Sequence, residues 1–152
     1  MSELEIIYQK DYPDFINPYL KSESMQRLKG VDMNCGLQFT SHAGFSSYGS
    51  YSRYEHSVGV ACIVWHFTHD KKQTLAGLFH DISTRAFSHV IDFVKRDYLT
   101  QESTEDETKQ ILFQDKVIMN QLIMDGISVD EVSDYHIYPI ADNDSPKLSS
   151  DR

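Results

Sequence analysis

Basic residues are scarce in this sequence relative to acidic ones. The 152 residues include 14 Lys and Arg against 23 Asp and Glu, which gives a formal net charge of −9. A general DNA- or RNA-binding protein needs positive charge to neutralise phosphates, so this balance argues against that class. A small phosphate ester could still bind if a metal ion or a few arginines supplied positive charge locally.

Cysteines and long apolar runs are also scarce. The two cysteines, Cys35 and Cys62, form no C-x-x-C pair and no metal-knuckle spacing, which favours two reduced thiols, one of them buried. The longest run without a polar residue is Val58–Trp65, far short of the ~20 apolar residues of a membrane span. The N-terminus begins acidic and lacks the apolar segment of a secretory signal. We therefore expect a cytoplasmic protein without a membrane span.

The apolar residues that are present follow a helical period. They predict an all-α chain with little or no sheet, arranged as one domain over residues 1–152. Within it, residues 1–18 form a lead-in and residues 138–152 an irregular tail. A rough helical stripe is predicted from Pro18 to Gly30. The helices predicted after it cover, in chain order, residues 53–69, 73–80, 86–95 and 102–126.

The helix predicted over residues 53–69 has the clearest start. Ser52 and Glu55 have the S-x-x-E spacing of a capping box, in which each side chain bonds the other residue's backbone N–H. The apolar stripe predicted for this helix consists of Val60, Ile63, Val64 and Phe67.

Histidine and aspartate residues at the helix ends are the candidate metal ligands. His56 lies in the first turn of the predicted helix over 53–69, and His80 and Asp81 are adjacent at the end of the next helix. Imidazole nitrogen and carboxylate oxygen suit Mn, Fe, Zn or Mg. Adjacent residues on a helix diverge by ~100°, but where a helix ends the backbone turns and both side chains can reach one ion. A His-Asp pair can equally be a capping pair or a solvated helix end.

The remaining histidines divide into two groups. His89 could hydrogen-bond near the candidate site. The others lack an evident partner in the sequence and are predicted to be surface or satisfied core histidines: His42, His66, His69 and His136.

Four strings occur in order along the chain: YSRYEHSVGVA, TLAGLFHDI, AFSHVID and SSDR. Together they resemble the HD-domain superfamily of metal-dependent phosphohydrolases over roughly residues 15–152. The branch they resemble most is that of the deoxynucleoside triphosphate triphosphohydrolases. The resemblance implies an HD-type helical bundle of about five to seven helices.

The resemblance also implies a site and an activity. The metal ligands would be His56, His80, Asp81 and Asp151, holding one divalent ion (Mn, Fe, Zn, Ni or Mg). A water activated by that ion, and oriented by Asp81, would hydrolyse a nucleotide or another small phosphate ester. Further residues implied are Arg53, facing the substrate phosphates, and the pair His89 and Asp92 beside the site. HD hydrolases often self-associate, so a homo-oligomer is a further expectation.

Two residues depart from the triphosphohydrolase pattern. Thr84 and Gln101 stand where those enzymes have histidines, so two imidazoles that could donate protons are missing. Gln101 and Arg85 then remain as candidate substrate contacts, Arg85 being equally a solvated surface arginine. The alternative function is a catalytically weak HD module that binds a ligand or a partner. A two-iron oxidase ranks lower, because no further His-rich helix is evident.

Asp151 is the penultimate residue. In the family that this chain resembles, this aspartate begins a helix that continues the domain, so we expect a domain that is truncated at its C-terminus or a loose fourth ligand. Asp142 and Asp144 are the alternative carboxylates, although they lack the D-R context.

Overall fold

The computed structural model describes residues 11–34, 41–45, 51–85, 102–142 and 150, and of residues 102–106 only the backbone. These parts of the chain contain six α-helices, four short 3-10 turns and one isolated β-bridge between Asp32 and Ser52. The all-α prediction is confirmed, and the arrangement is consistent with an HD-type helical bundle. The helix predicted over residues 86–95 lies outside the described residues.

The six helices of the described residues are numbered here in chain order. They are α1 (Asn17–Leu20), α2 (Glu23–Arg27), α3 (Arg53–Thr68), α4 (Lys71–Phe79), α5 (Glu102–Gln114) and α6 (Lys116–Asp125). The 3-10 turns are Asp14–Ile16, Leu28–Gly30, Ala43–Phe45 and Val129–Glu131. No helix in this described part of the chain combines the length and the apolar character required to cross a bilayer.

The capping box at the start of α3 is present as predicted. The Ser52 hydroxyl accepts the Glu55 backbone N–H at 3.3 Å, and the Glu55 carboxylate accepts the Ser52 backbone N–H at 2.8 Å. Two N–H groups that the first helical turn leaves without partners are thereby satisfied. The cap fixes the point at which α3 begins, and with it the first turn that carries His56.

Helix α4 begins two residues earlier than predicted. The Asp70 carboxylate accepts the backbone N–H groups of Lys72 and Gln73, so it caps the helix ahead of the apolar residues. Close packing of α4 on α3 depends on Gly77, because a β-carbon there would lie 3.2 Å from the side chains of both Val60 and Val64.

Only part of the apolar stripe that was predicted for α3 is buried. Val60 and Val64 are buried, but Phe67 is 69% exposed. The middle of the helix, Ser57–Cys62, is instead buried all round, whereas the last turn is open to solvent. Burial of Cys62 is as predicted, and it raises the pKa of the thiol to about 12.

The single helix predicted over residues 102–126 is wrong, because the chain forms two helices that meet at Asp115. This residue has an extended backbone, and its carboxylate accepts the N–H groups of Val117 and Ile118 at 3.0 and 3.2 Å. A side chain that competes for backbone N–H groups in this way favours a new helix start over continuation. The other carboxylate oxygen accepts the Ser24 N–H, which ties the junction to α2.

A main core joins these helices. Its largest fully buried members come from the N-terminal segment, α4, the turn after it, α5 and α6, and include Tyr19, Met25, Leu28, Leu75, Phe79, Ile82, Leu112 and Leu122. Tyr19 packs edge-on against Phe79, and its hydroxyl donates to Asp125 at 2.5 Å. The end of α4 is thus held in a rigid interior, directly before the candidate metal ligands.

Candidate metal centre

The ends of α3 and α4 bring three of the predicted ligands together. His56 lies in the first turn of α3, His80 follows the last residue of α4, and Asp81 occupies the turn after it. Because α4 packs closely on α3 at Gly77, these two ends are adjacent. One nitrogen or oxygen atom of each side chain lies within 4.8 Å of the others.

The three atoms form a compact triangle. His56 Nε2 and His80 Nε2 are 3.2 Å apart, and Asp81 Oδ2 is 3.3 Å from the His80 nitrogen and 3.8 Å from the His56 nitrogen. Metal bonds to His and carboxylate ligands are about 2.0–2.2 Å long. Neighbouring ligands at tetrahedral or octahedral angles are then roughly 3.0–3.5 Å apart. The triangle is close to one face of such a coordination sphere, so the residues are compatible with a divalent metal ion.

The orientation of the His80 ring is also suited to metal binding. Its Nδ1 is 2.7 Å from the Gly77 carbonyl oxygen, which can only accept, so Nδ1 carries the hydrogen. Metal-binding histidines commonly donate their second ring nitrogen to a backbone carbonyl in this way. In the neutral ring, the lone pair of Nε2 therefore points toward His56 and Asp81.

Both carboxylate oxygens of Asp81 accept hydrogen bonds from neighbouring side chains. Arg53 Nη1 donates to Oδ2 at 2.6 Å, and the Thr84 hydroxyl donates to Oδ1 at 2.9 Å. Burial by itself would raise the pKa of Asp81, but the adjacent His80, which donates to the carboxylate when its ring is protonated, and the Arg53 guanidinium outweigh it and hold the pKa far below its ordinary value. The carboxylate is therefore ionised at neutral pH, as a metal ligand must be.

The turn that carries Asp81 is tied to the N-terminal helices by one arginine. Arg27, the last residue of α2, donates to the carbonyl oxygens of Ile82 and Thr84, both at 2.8 Å. A planar guanidinium that bonds two carbonyls fixes their relative position. Arg27 thus holds the turn, and through Thr84 the carboxylate of Asp81.

Two tyrosines flank the histidines. The ring of Tyr51 lies edge-on to His56 at 6.5 Å between centroids, and that of Tyr135 lies at 5.3 Å from His80. The His80 side chain is only 3% exposed and that of His56 13%. Solvent therefore reaches the cluster more easily from the His56 side.

The other predicted site residues have different surroundings or lie outside the described residues. Arg53 is buried against Asp81, whereas Arg85 is at the surface in an ion pair with Glu107. Asp142, an alternative fourth ligand, does not join the cluster, because its carboxylate pairs with His136 at 2.7 Å. The predicted residues outside the described ranges are His89, Asp92, Gln101, Asp144 and Asp151.

Three residues of this region were not predicted. The sequence marked Thr84 only as the absence of a histidine, although it hydrogen-bonds the candidate ligand Asp81. Arg27 and Tyr135 are both far along the chain from the His-Asp pair, and no local pattern connects them to it. Only the spatial arrangement of α2, α4 and the C-terminal loop reveals these contacts.

Two curated proteins are similar to this chain. It is 31% identical over 155 residues to the uncharacterized protein YdhJ of Bacillus subtilis, in a match that covers 97% of this chain and 44% of that protein. It is 29% identical over 134 residues to the metal-dependent phosphohydrolase cns2 of Cordyceps militaris, in a match that covers 88% of this chain and 36% of that protein. The chain thus spans less than half the length of these relatives. No protein-family profile and no solved structure matches it.

A distant relative of this chain is therefore named as a metal-dependent phosphohydrolase, and the chain itself brings together a group of side chains that could hold a metal ion. One finding rests on overall sequence identity and the other on the distances between three side chains. Both agree with the general class of protein that the four strings resemble.

Proposed function

We propose that this chain is the metal-binding core of a phosphohydrolase that acts on a nucleotide or another small phosphate ester. The observation that carries the proposal is the triangle of His56 Nε2, His80 Nε2 and Asp81 Oδ2. Three protein ligands on one face leave other coordination positions for water and substrate. A divalent ion held there would polarise the phosphoryl group and lower the pKa of a bound water.

The side chains around the ion have distinct tasks in this proposal. Asp81 orients the attacking water, and Arg53 both keeps Asp81 ionised and adds positive charge where the phosphate binds. Arg53 is suited to this because its guanidinium is already fixed against Asp81 at 2.6 Å. The fourth ligand, Asp151, and the adjacent pair His89 and Asp92 remain proposals from the resemblance.

A phosphate-ester panel tests the activity. The metal-stripped chain is reloaded with Mn²⁺, Fe²⁺, Zn²⁺, Ni²⁺ or Mg²⁺ and assayed on p-nitrophenyl phosphate, bis(p-nitrophenyl) phosphate and nucleoside mono- and triphosphates. We expect turnover of at least one ester with at least one metal. The variants H56A and D81N should lose on the order of 100-fold or more of that turnover, because losing even an outer partner of a metal ligand costs about 10- to 100-fold.

The matched control is H66Q. His66 is an exposed histidine that pairs with Asp11 at 2.9 Å, away from the cluster, so its loss should leave turnover unchanged. Equal turnover in H56A and the parent chain would contradict the proposed site. Metal binding without turnover of any ester would instead favour the alternative, a catalytically weak module. The observation that motivates that alternative is the hydrogen bond from the Thr84 hydroxyl to Asp81. The triphosphohydrolases that the sequence resembles have a histidine at the position of Thr84.

A further inference from the structure

The loop that follows the last 3-10 turn is anchored on the helix that carries His56. Ala141 is fully buried in a small second core against Val60 and Val64 of α3, with Tyr135 and Tyr138 packed at its edge. The Tyr138 hydroxyl donates to the Glu131 carbonyl at 2.8 Å, which holds the loop to the preceding turn. The side chains of this loop are therefore fixed relative to the candidate metal centre.

One histidine of the loop is linked to that centre through a tyrosine ring. The ring of Tyr135 contacts His80 at 5.3 Å between centroids, and the ring of His136 lies over Tyr135 at 4.1 Å. His136 is thus separated from a candidate metal ligand by a single tyrosine ring. Its side chain is 33% exposed, so a ligand entering from solvent can reach it.

Asp142 orients this histidine. His136 Nδ1 lies 2.7 Å from Asp142 Oδ2, and a carboxylate at neutral pH only accepts, so Nδ1 donates. The backbone N–H of His136 is also fixed, because it donates to Asp134 at 2.9 Å. A carboxylate that holds one nitrogen of an imidazole in this way sets the tautomer and leaves Nε2 as the atom that exchanges protons with a substrate.

We propose that His136, positioned by Asp142, is the general acid of this site; this rests on the proposed function. In the protonated ring, whose Nδ1–H is held by Asp142, His136 Nε2 donates its proton to the bridging oxygen of the ester as the bond between that oxygen and phosphorus breaks, and the ring is left neutral. A new bond forms between phosphorus and the oxygen of the attacking water. Solvent takes the proton that the water loses and returns one to His136, so the products are the alcohol and inorganic phosphate.

The need for such a group follows from the chemistry of the leaving oxygen. The Thr84 hydroxyl at the cluster already donates to Asp81. Esters of weakly acidic alcohols require protonation of the leaving oxygen, whereas an acidic phenol leaves without it. The dependence of the rate on the leaving group therefore reveals a general acid.

The experiment compares two substrates in the parent chain and three variants. The parent, H136Q, D142N and the control H66Q are assayed on p-nitrophenyl phosphate and on a nucleoside 5′-monophosphate. We expect H136Q to lose about 100-fold or more on the nucleotide, the usual contribution of general acid catalysis, and to stay close to the parent on the phenyl ester. D142N should show a smaller loss of the same kind. H66Q removes another exposed histidine paired with an aspartate and should change neither rate.

Two measurements on the protein itself separate this role from metal binding and from folding. The Co²⁺ affinity of H136Q should equal that of the parent, since His136 is not a ligand. In metal-free protein, the NMR resonance of the His136 Nδ1 proton should be sheltered from exchange in the parent and should exchange faster in D142N, whose neutral amide oxygen is a weaker acceptor. Equal losses on both esters, or no loss on the nucleotide, would overturn the proposal. If the parent hydrolyses no ester of the full panel, the proposed function fails and the general acid fails with it.

Discussion

At the scale of single residues, the support of Asp81 decides whether a metal ion can bind. Its two oxygens are held separately, Oδ2 by Arg53 and Oδ1 by Thr84. A buried carboxylate with both oxygens bonded cannot rotate away from the histidines, so the ligand is prepared before the ion arrives. Thr84 thus helps to hold Asp81 in place, whereas the sequence alone indicated only that a histidine is missing at this position.

Removal of the Thr84 hydroxyl tests this function. T84V keeps the shape of the side chain but loses the bond to Asp81 Oδ1, so we expect its Co²⁺ affinity to fall about 10-fold. T84S keeps the hydroxyl and should stay near the parent. Calorimetric titration of metal-stripped protein gives both values. Equal affinity in T84V and the parent would show that Arg53 alone is sufficient to hold Asp81.

At the scale of the elements, α2 acts as a clamp on two junctions. Its last residue, Arg27, bonds the carbonyls of Ile82 and Thr84 after α4, and its Ser24 N–H bonds Asp115 between α5 and α6. A helix of only five residues (Glu23–Arg27) thereby connects the candidate metal centre to the helices of the C-terminal half. The two contacts can be tested separately.

Loss of the Arg27 side chain should loosen the turn after α4. We expect R27M to lower the free energy of unfolding by about 1–3 kcal/mol, because two carbonyls lose charged donors. Amide exchange of the 82–84 segment should also become faster. K21M is the control, since Lys21 is an exposed cation and should contribute within about 0.5 kcal/mol. Unchanged exchange in R27M would contradict the clamp.

Loss of the Asp115 carboxylate should destabilise the start of α6. D115A removes a cap that accepts two N–H groups, so urea unfolding should show a loss of about 1–2 kcal/mol. D115N can still accept these bonds and should recover most of the loss. D130A, which removes a surface partner of Lys109, should stay within about 1 kcal/mol of the parent. A D115A protein as stable as the parent would mean that α5 and α6 merge into one helix.

At the scale of the whole molecule, local chemistry was predictable and long-range contacts were not. The cap at Ser52 and the turn at the end of α4 depend on residues a few positions apart, so spacing identified them. The exposure of Phe67 depends on what packs against the last turn of α3, which no local pattern contains. The same holds for the pairing of His136 with Asp142, since the loop that carries both residues is positioned by packing against Val60 and Val64.

The central claim is that His56, His80 and Asp81 together bind one divalent metal ion. Titration of metal-stripped protein with Co²⁺, followed by calorimetry and by the visible absorption of the ion, tests it most directly. We predict one equivalent bound by the parent chain and by H66Q, and a loss of affinity on the order of 100-fold or more in H56Q and D81N with helicity retained. Absence of binding in the parent, or equal affinity in the parent, H56Q and D81N, would contradict the claim.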